Sequence, residues 1–294
     1  MPVSLLRTLA LLQKENRKIA VVSLHDASSA RIACNAGADV LLVGDSAGNT
    51  LLGYDDTLSV SFDEMRMLTA AVARGAKKSS RPDVPVIADL PFASSATVRD
   101  AVKNGAALMR AGAHAVKLEG AGKRARRAIE ALIETGMPVV GHLGFTPQSA
   151  LTFQNIVQGR DVERASRLLQ DARALQEFGC CAIVLEAVAA EAAREISLDL
   201  TIPTIGIGAG VECDGQVLVW HDLVGLSEGT PYRFVRRFAE SGDVARGAVE
   251  GFVRDVQNQS FPSPEHGWKM NDGEATRLAQ WREESASDSG KKLA

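Results

Sequence analysis

Short apolar runs that alternate with helix-like segments are the feature that most restricts how this 294-residue chain can fold. Eight runs rich in Val and Ile recur, and they are apolar on both faces, as buried strands of a parallel sheet are. They cover residues 19–24, 40–44, 84–88, 115–118, 138–143, 182–185, 203–207 and 222–226. Segments with helical periodicity separate them, the clearest from Asp161 to Phe178. The pattern predicts an α/β fold built from repeated strand–helix units.

A weak internal repeat supports this interpretation. The stretches AGADVLLVGD, AGAHAVKLEG, TGMPVVGHLG and FGCCAIVLEA each place a glycine at a predicted helix end, just before a strand: Gly37, Gly112, Gly136 and Gly179. Repeats of this kind imply right-handed crossovers, and eight strands in this alternation favour a (β/α)8 TIM barrel. The alternative is an open doubly wound sheet. No GxGxxG sequence follows the first strand to support it.

The two ends of the chain lie outside the repeat. The first 17 residues predict an extra helix that closes the bottom of the barrel, and residues 231–257 predict one or two further helices. We expect a single barrel domain over residues 1–281. The polar stretch EESASDSGKKLA predicts a disordered tail over residues 282–294.

Charge and composition exclude several classes of protein. Lys and Arg number 33 against 36 for Asp and Glu, whereas nucleic-acid-binding proteins usually carry a basic excess. Charged residues or glycines interrupt every apolar run before the roughly 18 residues of a membrane span. The N-terminus lacks the ordered regions of a secretory signal, and the four cysteines show no metal-type or redox-type spacing. We expect a cytoplasmic protein with no nucleic-acid or membrane partner.

Ionisable side chains stand at the ends of most predicted strands, where barrel active sites lie. They are Asp26, Asp45, Asp89, Glu119, His142 and Glu186, with Lys117 two residues before Glu119. Carboxylates that converge on one mouth repel each other unless a cation neutralises them, and oxygen ligands favour Mg²⁺. A salt-bridge network without metal is the alternative.

Several other features have more than one interpretation. His142 is either catalytic or only hydrogen-bonded. The GIGAG stretch, 206–210, resembles a phosphate-binding turn, but its glycines also suit close approach of the backbone. Cys180 and Cys181 are expected in the core, and the KRARR stretch, 123–127, is expected on a solvated helix face.

The chain resembles the ketopantoate hydroxymethyltransferase family through motifs that occur in order between about residues 18 and 266. These are VGDSAGNTLLGYDDTLSV, ADLPF, AVKLEG, GHLGFTPQS, VQGR, VLEAV, IPTIGIGAG, CDGQVLV and HD. The resemblance implies a (β/α)8 barrel of the phosphoenolpyruvate/pyruvate superfamily, usually assembled as a homodecamer. It implies transfer of a hydroxymethyl group from 5,10-methylenetetrahydrofolate to 3-methyl-2-oxobutanoate, giving 2-dehydropantoate in pantothenate (coenzyme A) biosynthesis. One Mg²⁺ per subunit is the implied cofactor.

The resemblance also implies a role for each matching residue. The expected metal ligands are carboxylates at strand ends: Asp45, Asp89 and Glu119. The expected substrate contacts come from the same motifs: Asp45, Ser46, Asp89, Lys117 and His142. Glu186 is the implied general base, which removes the C3 proton of the 2-oxo acid to form a metal-stabilised enolate.

The sequence departs from the family pattern at three places. His25 stands where the family usually has Tyr, and Ala121 stands where a second Gly is common. In residues 151–157, a Phe-Gln-Asn-Ile stretch replaces a Gly-Gly-aromatic-Lys stretch. Since the implied ligands and base are intact, we expect proton removal to be retained and use of the folate to change.

Two other functions stay open at this point. A divergent paralogue could bind a 2-oxo acid and Mg²⁺ without efficient folate-dependent turnover. A related carbon–carbon lyase is the other alternative, but the chain lacks the Lys-Cys-Gly-His-type loop of those enzymes.

Overall fold

The computed structural model describes residues 3–227 and 229–291. Eight parallel strands form a closed barrel, in which each strand pairs with the next and the last pairs with the first. The strands are β1 Ile19–Ser23, β2 Val40–Val43, β3 Val86–Asp89, β4 Ala115–Glu119, β5 Val139–Gly144, β6 Ala182–Glu186, β7 Thr204–Ile207 and β8 Gly215–Val219. The predicted (β/α)8 barrel is confirmed.

Helices separate successive strands from β1 to β7 and also precede and follow the barrel. They are α1 Leu5–Lys14, α2 Ala27–Asn35, α3 Phe62–Lys77, α4 Val98–Ala111, α5 Lys123–Glu134, α6 Val162–Glu177, α7 Ala190–Asp199, α8 Trp220–Leu223, α9 Ser241–Gln257 and α10 Glu274–Lys291. A π-helical turn spans Gly48–Leu52, and 3-10 turns span Pro147–Thr152 and Pro264–His266.

The apolar core has two layers. The larger layer lies between the strands and the surrounding helices, as the alternation of apolar runs requires. The smaller layer fills the barrel interior, where strand residues pack against Leu5, Leu9 and Leu12 of α1. The first helix therefore closes the bottom of the barrel, as predicted.

Helix ends follow the sequence closely. The Glu64 amide donates to Ser61 Oγ and the Ser61 amide donates to Glu64 Oε2, forming a capping box at the start of α3. The glycines of the internal repeat all have positive φ: Gly37, Gly112, Gly136 and Gly179. At Gly112, for example, φ is +113°, a conformation that costs little only without a Cβ atom.

The predicted eighth strand over 222–226 is wrong. The strand is Gly215–Val219, which pairs with β1 from Ile19 to Ser23, and α8 begins directly after it. Gly215 fits there because a Cβ atom would lie 2.6 Å from the carbonyl oxygen of Ile19. Gly and Gln at the start of this strand hide it from a search for apolar runs, whereas the barrel register requires it.

The chain divides into two compact units, the first ending at Glu240 and the second beginning at Ser241. The expectation of a single barrel domain over residues 1–281 stays a prediction. The second unit contains α9 and α10, and α10 includes residues 282–291 of the predicted tail. The remaining tail residues, 292–294, lie outside the described part of the chain.

Among the helices of the described residues, none is both long and apolar enough to cross a membrane.

All four cysteines fall within the described residues, where they are buried and form no disulfide, and Cys180 and Cys181 belong to the core as predicted.

Candidate active site

A cavity of about 610 Å³ opens at the carboxyl ends of the strands. Every site residue that the family resemblance implies contributes to its lining: Asp45, Ser46, Asp89, Lys117, Glu119, His142 and Glu186. All seven belong to the first unit. The structure thus brings together side chains that are up to 141 residues apart in sequence.

Strand register explains this convergence. Asp89 is paired with Lys117, Glu119 with His142, and Gly144 with Glu186 across neighbouring strands. Because side chains alternate between the two faces of a strand, Lys117 and Glu119, two residues apart, point to the same side. Asp45 follows the end of β2, and its amide donates to Asp89 Oδ2 over 3.1 Å.

Lys117 is the buried cation of the site. Its Nζ lies 3.0 Å from Asp89 Oδ1 and 3.3 Å from His142 Nδ1. Burial alone would lower the pKa of Lys117, but the charges of Asp89, Glu119 and Asp45 outweigh it and raise that pKa. Lys117 therefore stays protonated and supplies a fixed positive charge at the cavity floor.

His142 lies between two carboxylates. Its Nδ1 is 3.4 Å from Glu119 Oε1, and its Nε2 is 3.4 Å from Glu186 Oε2. Burial and Lys117 lower the pKa of His142, but Glu119 and Glu186 outweigh them and raise it to about 9. The imidazole therefore links Glu119 of the carboxylate cluster to Glu186.

Negative charge is concentrated around Asp45. The pKa of Asp45 is raised to about 7, chiefly by burial and also by the nearby charge of Asp89. The pKa of Asp89 is also raised, chiefly by burial, although Lys117 opposes the shift. Buried carboxylates of this kind are stabilised by an additional cation.

The oxygen atoms of this cluster have the chemistry that Mg²⁺ prefers. Within the described residues, Asp89 Oδ1 and Glu119 Oε1 are buried and make no hydrogen bond of good geometry. The same part of the chain contains no group of three His, Cys, Asp or Glu side chains already arranged around one ion. The reason is that Asp89 faces Lys117, while Asp45 Oδ2 accepts a hydrogen bond of 2.9 Å from Gln148 Nε2. The donor atoms fit the metal, but the three carboxylates are not preassembled.

Gln148 is the main site residue that the sequence did not reveal. Besides Asp45, its Nε2 donates to the carbonyl oxygen of Leu90 over 2.9 Å. Its amide donates to Glu119 Oε2 over 3.1 Å. Gln148 therefore holds two of the carboxylates in place. It falls within the GHLGFTPQS motif, but an amide side chain in a turn gives no chemical signal by itself.

Two of the predicted features have structural roles instead. Asp26, one of the strand-end carboxylates, caps α2 by accepting hydrogen bonds from the amides of Ser28 and Ser29. In the GIGAG stretch, a Cβ atom on Gly208 would lie 2.7 Å from the ring of Phe234. This favours close approach over phosphate binding as the reason for that glycine.

The divergent loop lies beside the cavity. Among the described residues that line the cavity, none comes from 151–157. Phe153 packs against Phe145, which does line it, with ring centroids 5.6 Å apart. Phe145 therefore connects this loop to the cavity.

A closed parallel barrel with a carboxylate-lined cavity at its carboxyl end defines the chain as a (β/α)8-barrel enzyme. Solved structures share the fold. Phosphonopyruvate hydrolase in complex with oxalate and Mg²⁺ matches with a TM-score of 0.59 and 13% identity, over 99% of this chain and all of that chain. The 2,3-dimethylmalate lyase of the PEP mutase/isocitrate lyase superfamily matches with a TM-score of 0.54 and 18% identity, over 98% of this chain and 97% of that one.

The sequence defines the family within this class. A model of the ketopantoate hydroxymethyltransferase family matches residues 4–264, and the chain belongs to that family. It is 50% identical over 268 residues to the 3-methyl-2-oxobutanoate hydroxymethyltransferase of Cenarchaeum symbiosum, covering 90% of this chain and 99% of the relative. The enzyme of the same name from Nitratidesulfovibrio vulgaris (strain DP4) is 48% identical over 264 residues, covering 89% and 84%. The resemblance predicted from the motifs is confirmed.

Proposed function

We propose that the chain transfers a hydroxymethyl group from 5,10-methylenetetrahydrofolate to 3-methyl-2-oxobutanoate, giving 2-dehydropantoate for pantothenate biosynthesis. The observation that carries the proposal is the grouping of Lys117, the buried carboxylates and Glu186 around one cavity. Relatives with about half of their residues identical have names that specify this substrate and this group.

Binding of the 2-oxo acid is supported by the charges at the cavity floor. The Lys117 ammonium offsets the negative charge of the substrate carboxylate. The Ser46 hydroxyl, which lines the same cavity, offers a hydrogen bond to it. Asp45, Asp89 and Glu119 would hold Mg²⁺, which when bound supplies a Lewis acid for the keto oxygen.

Removal of the C3 proton is assigned to Glu186. Its side chain is 20% exposed, so it lies at the boundary between the buried cluster and the open cavity. His142, whose Nε2 lies 3.4 Å from Glu186 Oε2, orients the carboxylate. The charge that develops on the substrate is offset by Lys117, because fixed charges in a buried site act strongly where new charge appears.

Transfer completes the reaction. The methylene carbon of the folate is bonded to two nitrogens, and both bonds break. The C3 carbon replaces one nitrogen and the hydroxyl of a water molecule replaces the other, so that 2-dehydropantoate and tetrahydrofolate are released. One departing nitrogen takes the C3 proton through Glu186, and the other takes the remaining proton of the water.

The test uses the full chain with Mg²⁺, 3-methyl-2-oxobutanoate and 5,10-methylenetetrahydrofolate, and measures formation of 2-dehydropantoate. Exchange of the C3 proton for deuterium is followed in parallel, without folate. Formation of the product supports the proposal. Exchange without product over a range of folate concentrations would instead identify a paralogue that retains only the first half of the chemistry.

We further propose that the enzyme is a cytoplasmic homo-oligomer, with the decamer typical of the family as the expected state. An apolar stripe on α9 supports association with further copies, because four of its residues recur at helical spacing and are 44–60% exposed: Val249, Phe252, Val253 and Val256.

A further inference from the structure

The proposed chemistry leaves unused the cavity-lining residues that follow β8, including Tyr232, Phe234 and Arg237. We call the part of the cavity that these residues line its second end. Cavities of roughly 300–1,000 Å³ hold drug-sized ligands, so the 2-oxo acid at the carboxylate cluster leaves most of the volume of about 610 Å³ free. A second and larger ligand can therefore share the cavity with the first.

Two aromatic rings form a flat wall at this second end. The rings of Tyr232 and Phe234 are stacked, with centroids 5.4 Å apart and planes inclined by 3°. Tyr232 is 60% exposed, which is unusual for a large aromatic side chain that lines a cavity. An exposed ring that is already part of a parallel stack is suited to continue the stack with a flat ligand.

Gly208 fixes the position of this wall. Its φ is +67°, and a Cβ atom at this residue would lie 2.7 Å from Phe234 Cδ1. Only glycine therefore allows the Phe234 ring to lie directly against the end of β7. The GIGAG stretch, whose role the sequence left open, serves to seat the aromatic wall.

Arg237 provides a cation at the same end. Its Nη1 lies 3.3 Å from Glu240 Oε2, and its Nη2 donates to the carbonyl oxygen of Ser227 over 3.0 Å. Its Nε is buried and has no hydrogen-bond acceptor among the described residues. Asp222, the neighbouring acid, accepts a hydrogen bond from Ser227 Oγ over 2.6 Å. A buried donor without an acceptor is costly, and a ligand carboxylate would relieve that cost.

We propose that Tyr232, Phe234 and Arg237 form the binding site for the one-carbon carrier, stacking against its flat rings and pairing with its carboxylate. This rests on the proposed function, because it assumes that a folate brings the one-carbon unit. The carbon–carbon bond would then form between the two ends of one cavity.

The test measures 2-dehydropantoate formation against the concentration of 5,10-methylenetetrahydrofolate in the wild-type chain and in two variants, Tyr232→Leu and Arg237→Gln. Each variant should raise the KM for the folate about tenfold or more, because each loses a stacking or charge-assisted contact. Deuterium exchange at C3 of 3-methyl-2-oxobutanoate, measured with Mg²⁺ alone, should stay within about twofold of the wild type.

Matched controls are available in the same segment. Arg236 packs over the ring of Phe238, with 4.8 Å from its Cζ to the ring centroid, and neither residue is among the described residues that line the cavity. Arg236→Gln and Phe238→Leu should leave the KM for the folate unchanged. Glu240→Gln removes the ion pair of Arg237 but not its guanidinium, so it should leave that KM within about twofold if Arg237 binds the carrier.

The outcomes separate the site from the function. A wild-type chain that forms no product overturns the proposed function. A wild type that forms product, together with variants whose KM for the folate matches that of the controls, overturns only this binding site. If Arg237→Gln fails to fold, the KM for the folate is measured in Arg237→Lys and Tyr232→Leu. Arg237→Lys retains the charge, and Tyr232 is exposed, so both variants are expected to fold. A KM equal to that of the controls in both would overturn the binding site. A parallel loss of C3 exchange in either variant would also count against the site.

Discussion

Glu186 differs from Asp45, Asp89 and Glu119 in its partial exposure, because those three carboxylates are buried whereas its own side chain is 20% exposed. If it removes the C3 proton, Glu186→Gln should lower both C3 exchange and product formation by about a hundredfold or more, because the amide cannot accept a proton. Binding of 3-methyl-2-oxobutanoate, measured by calorimetry, should persist. Exchange at the wild-type rate in this variant would show that another group is the base.

Loss of Asp89 should weaken metal binding, because its Oδ1 is buried, makes no hydrogen bond of good geometry within the described residues and lies 3.0 Å from Lys117 Nζ. Asp89→Asn should weaken Mg²⁺ binding about tenfold or more and lower turnover strongly. The measurement is calorimetric titration of Mg²⁺ in the presence of the 2-oxo acid. Asp26→Asn is the matched control, because Asp26 also follows a strand but caps α2. Equal Mg²⁺ affinity in the two variants would remove Asp89 from the metal site.

His25 should make the fold sensitive to acid. Its pKa is lowered from 6.5 to about 4, chiefly by burial and also by the neighbouring His221, while Asp26 opposes the shift. In the unfolded chain His25 therefore takes up a proton as the pH falls below about 6.5, whereas in the folded chain it does so only near pH 4. Stability falls as the pH falls through this window, by about 3 kcal/mol for this group.

His25→Gln tests this expectation. Gln keeps a polar group near Ser46 Oγ, which lies 3.4 Å from His25 Nε2, but it does not titrate in this range. Urea unfolding should show a smaller loss of stability between pH 6.5 and pH 4 in the variant than in the wild type. Identical pH slopes for the two proteins would contradict the expectation.

At the scale of elements, the divergent loop over 151–157 contacts a residue of the cavity lining but does not itself line the cavity within the described residues. Phe153 touches Phe145, and Phe145 lines the cavity. Restoring the Gly-Gly-aromatic-Lys stretch of the family should therefore lower the KM for 5,10-methylenetetrahydrofolate by a few-fold through Phe145. C3 exchange should not change, because it needs only the carboxylate cluster and Glu186.

Parallel measurement of exchange and transfer decides this prediction. Exchange that changes as much as transfer would mean that the loop acts on the carboxylate cluster, with Gln148 as the nearest route because it lies in the preceding 3-10 turn and bonds to Asp45.

At the scale of the whole molecule, the second unit carries the main expectation about assembly. Four apolar side chains of the α9 stripe are exposed, and apolar side chains grouped in this way on a surface often mark a contact with a partner. We expect a homo-oligomer in sedimentation at micromolar concentration, and Phe252→Asp should shift it toward smaller species. Arg254→Asp, on the opposite side of the same helix and 69% exposed, serves as the control. A wild-type monomer would contradict the prediction.

Local sequence determined most of the fold. The apolar runs predicted seven of the eight strands, because a strand covered on both faces must be apolar throughout. The capping box at Ser61 and the repeat glycines marked helix ends for equally local reasons. The eighth strand escaped because Gly215 and Gln216 break its apolar pattern, and only pairing with β1 and β7 defines it.

The site was predictable where residue type and strand position sufficed. Carboxylates at strand ends converge in a closed barrel, so Asp45, Asp89 and Glu119 could be placed at one cavity without coordinates, while their role as metal ligands stays a prediction. Asp26 meets the same criterion but caps a helix. Its hydrogen bonds to the amides of Ser28 and Ser29 became visible only in the structure.

Only the tertiary structure decided the contacts that depend on long-range distance. Gln148 joins Asp45 and Glu119, and Gly208 seats Phe234, across separations that no local pattern encodes. The sequence by itself determined the barrel, the family and the identity of the charged groups, because these follow from periodicity and residue chemistry. The structure alone decided which of those groups pair with each other, because burial and hydrogen-bond geometry arise only once the chain has closed on itself.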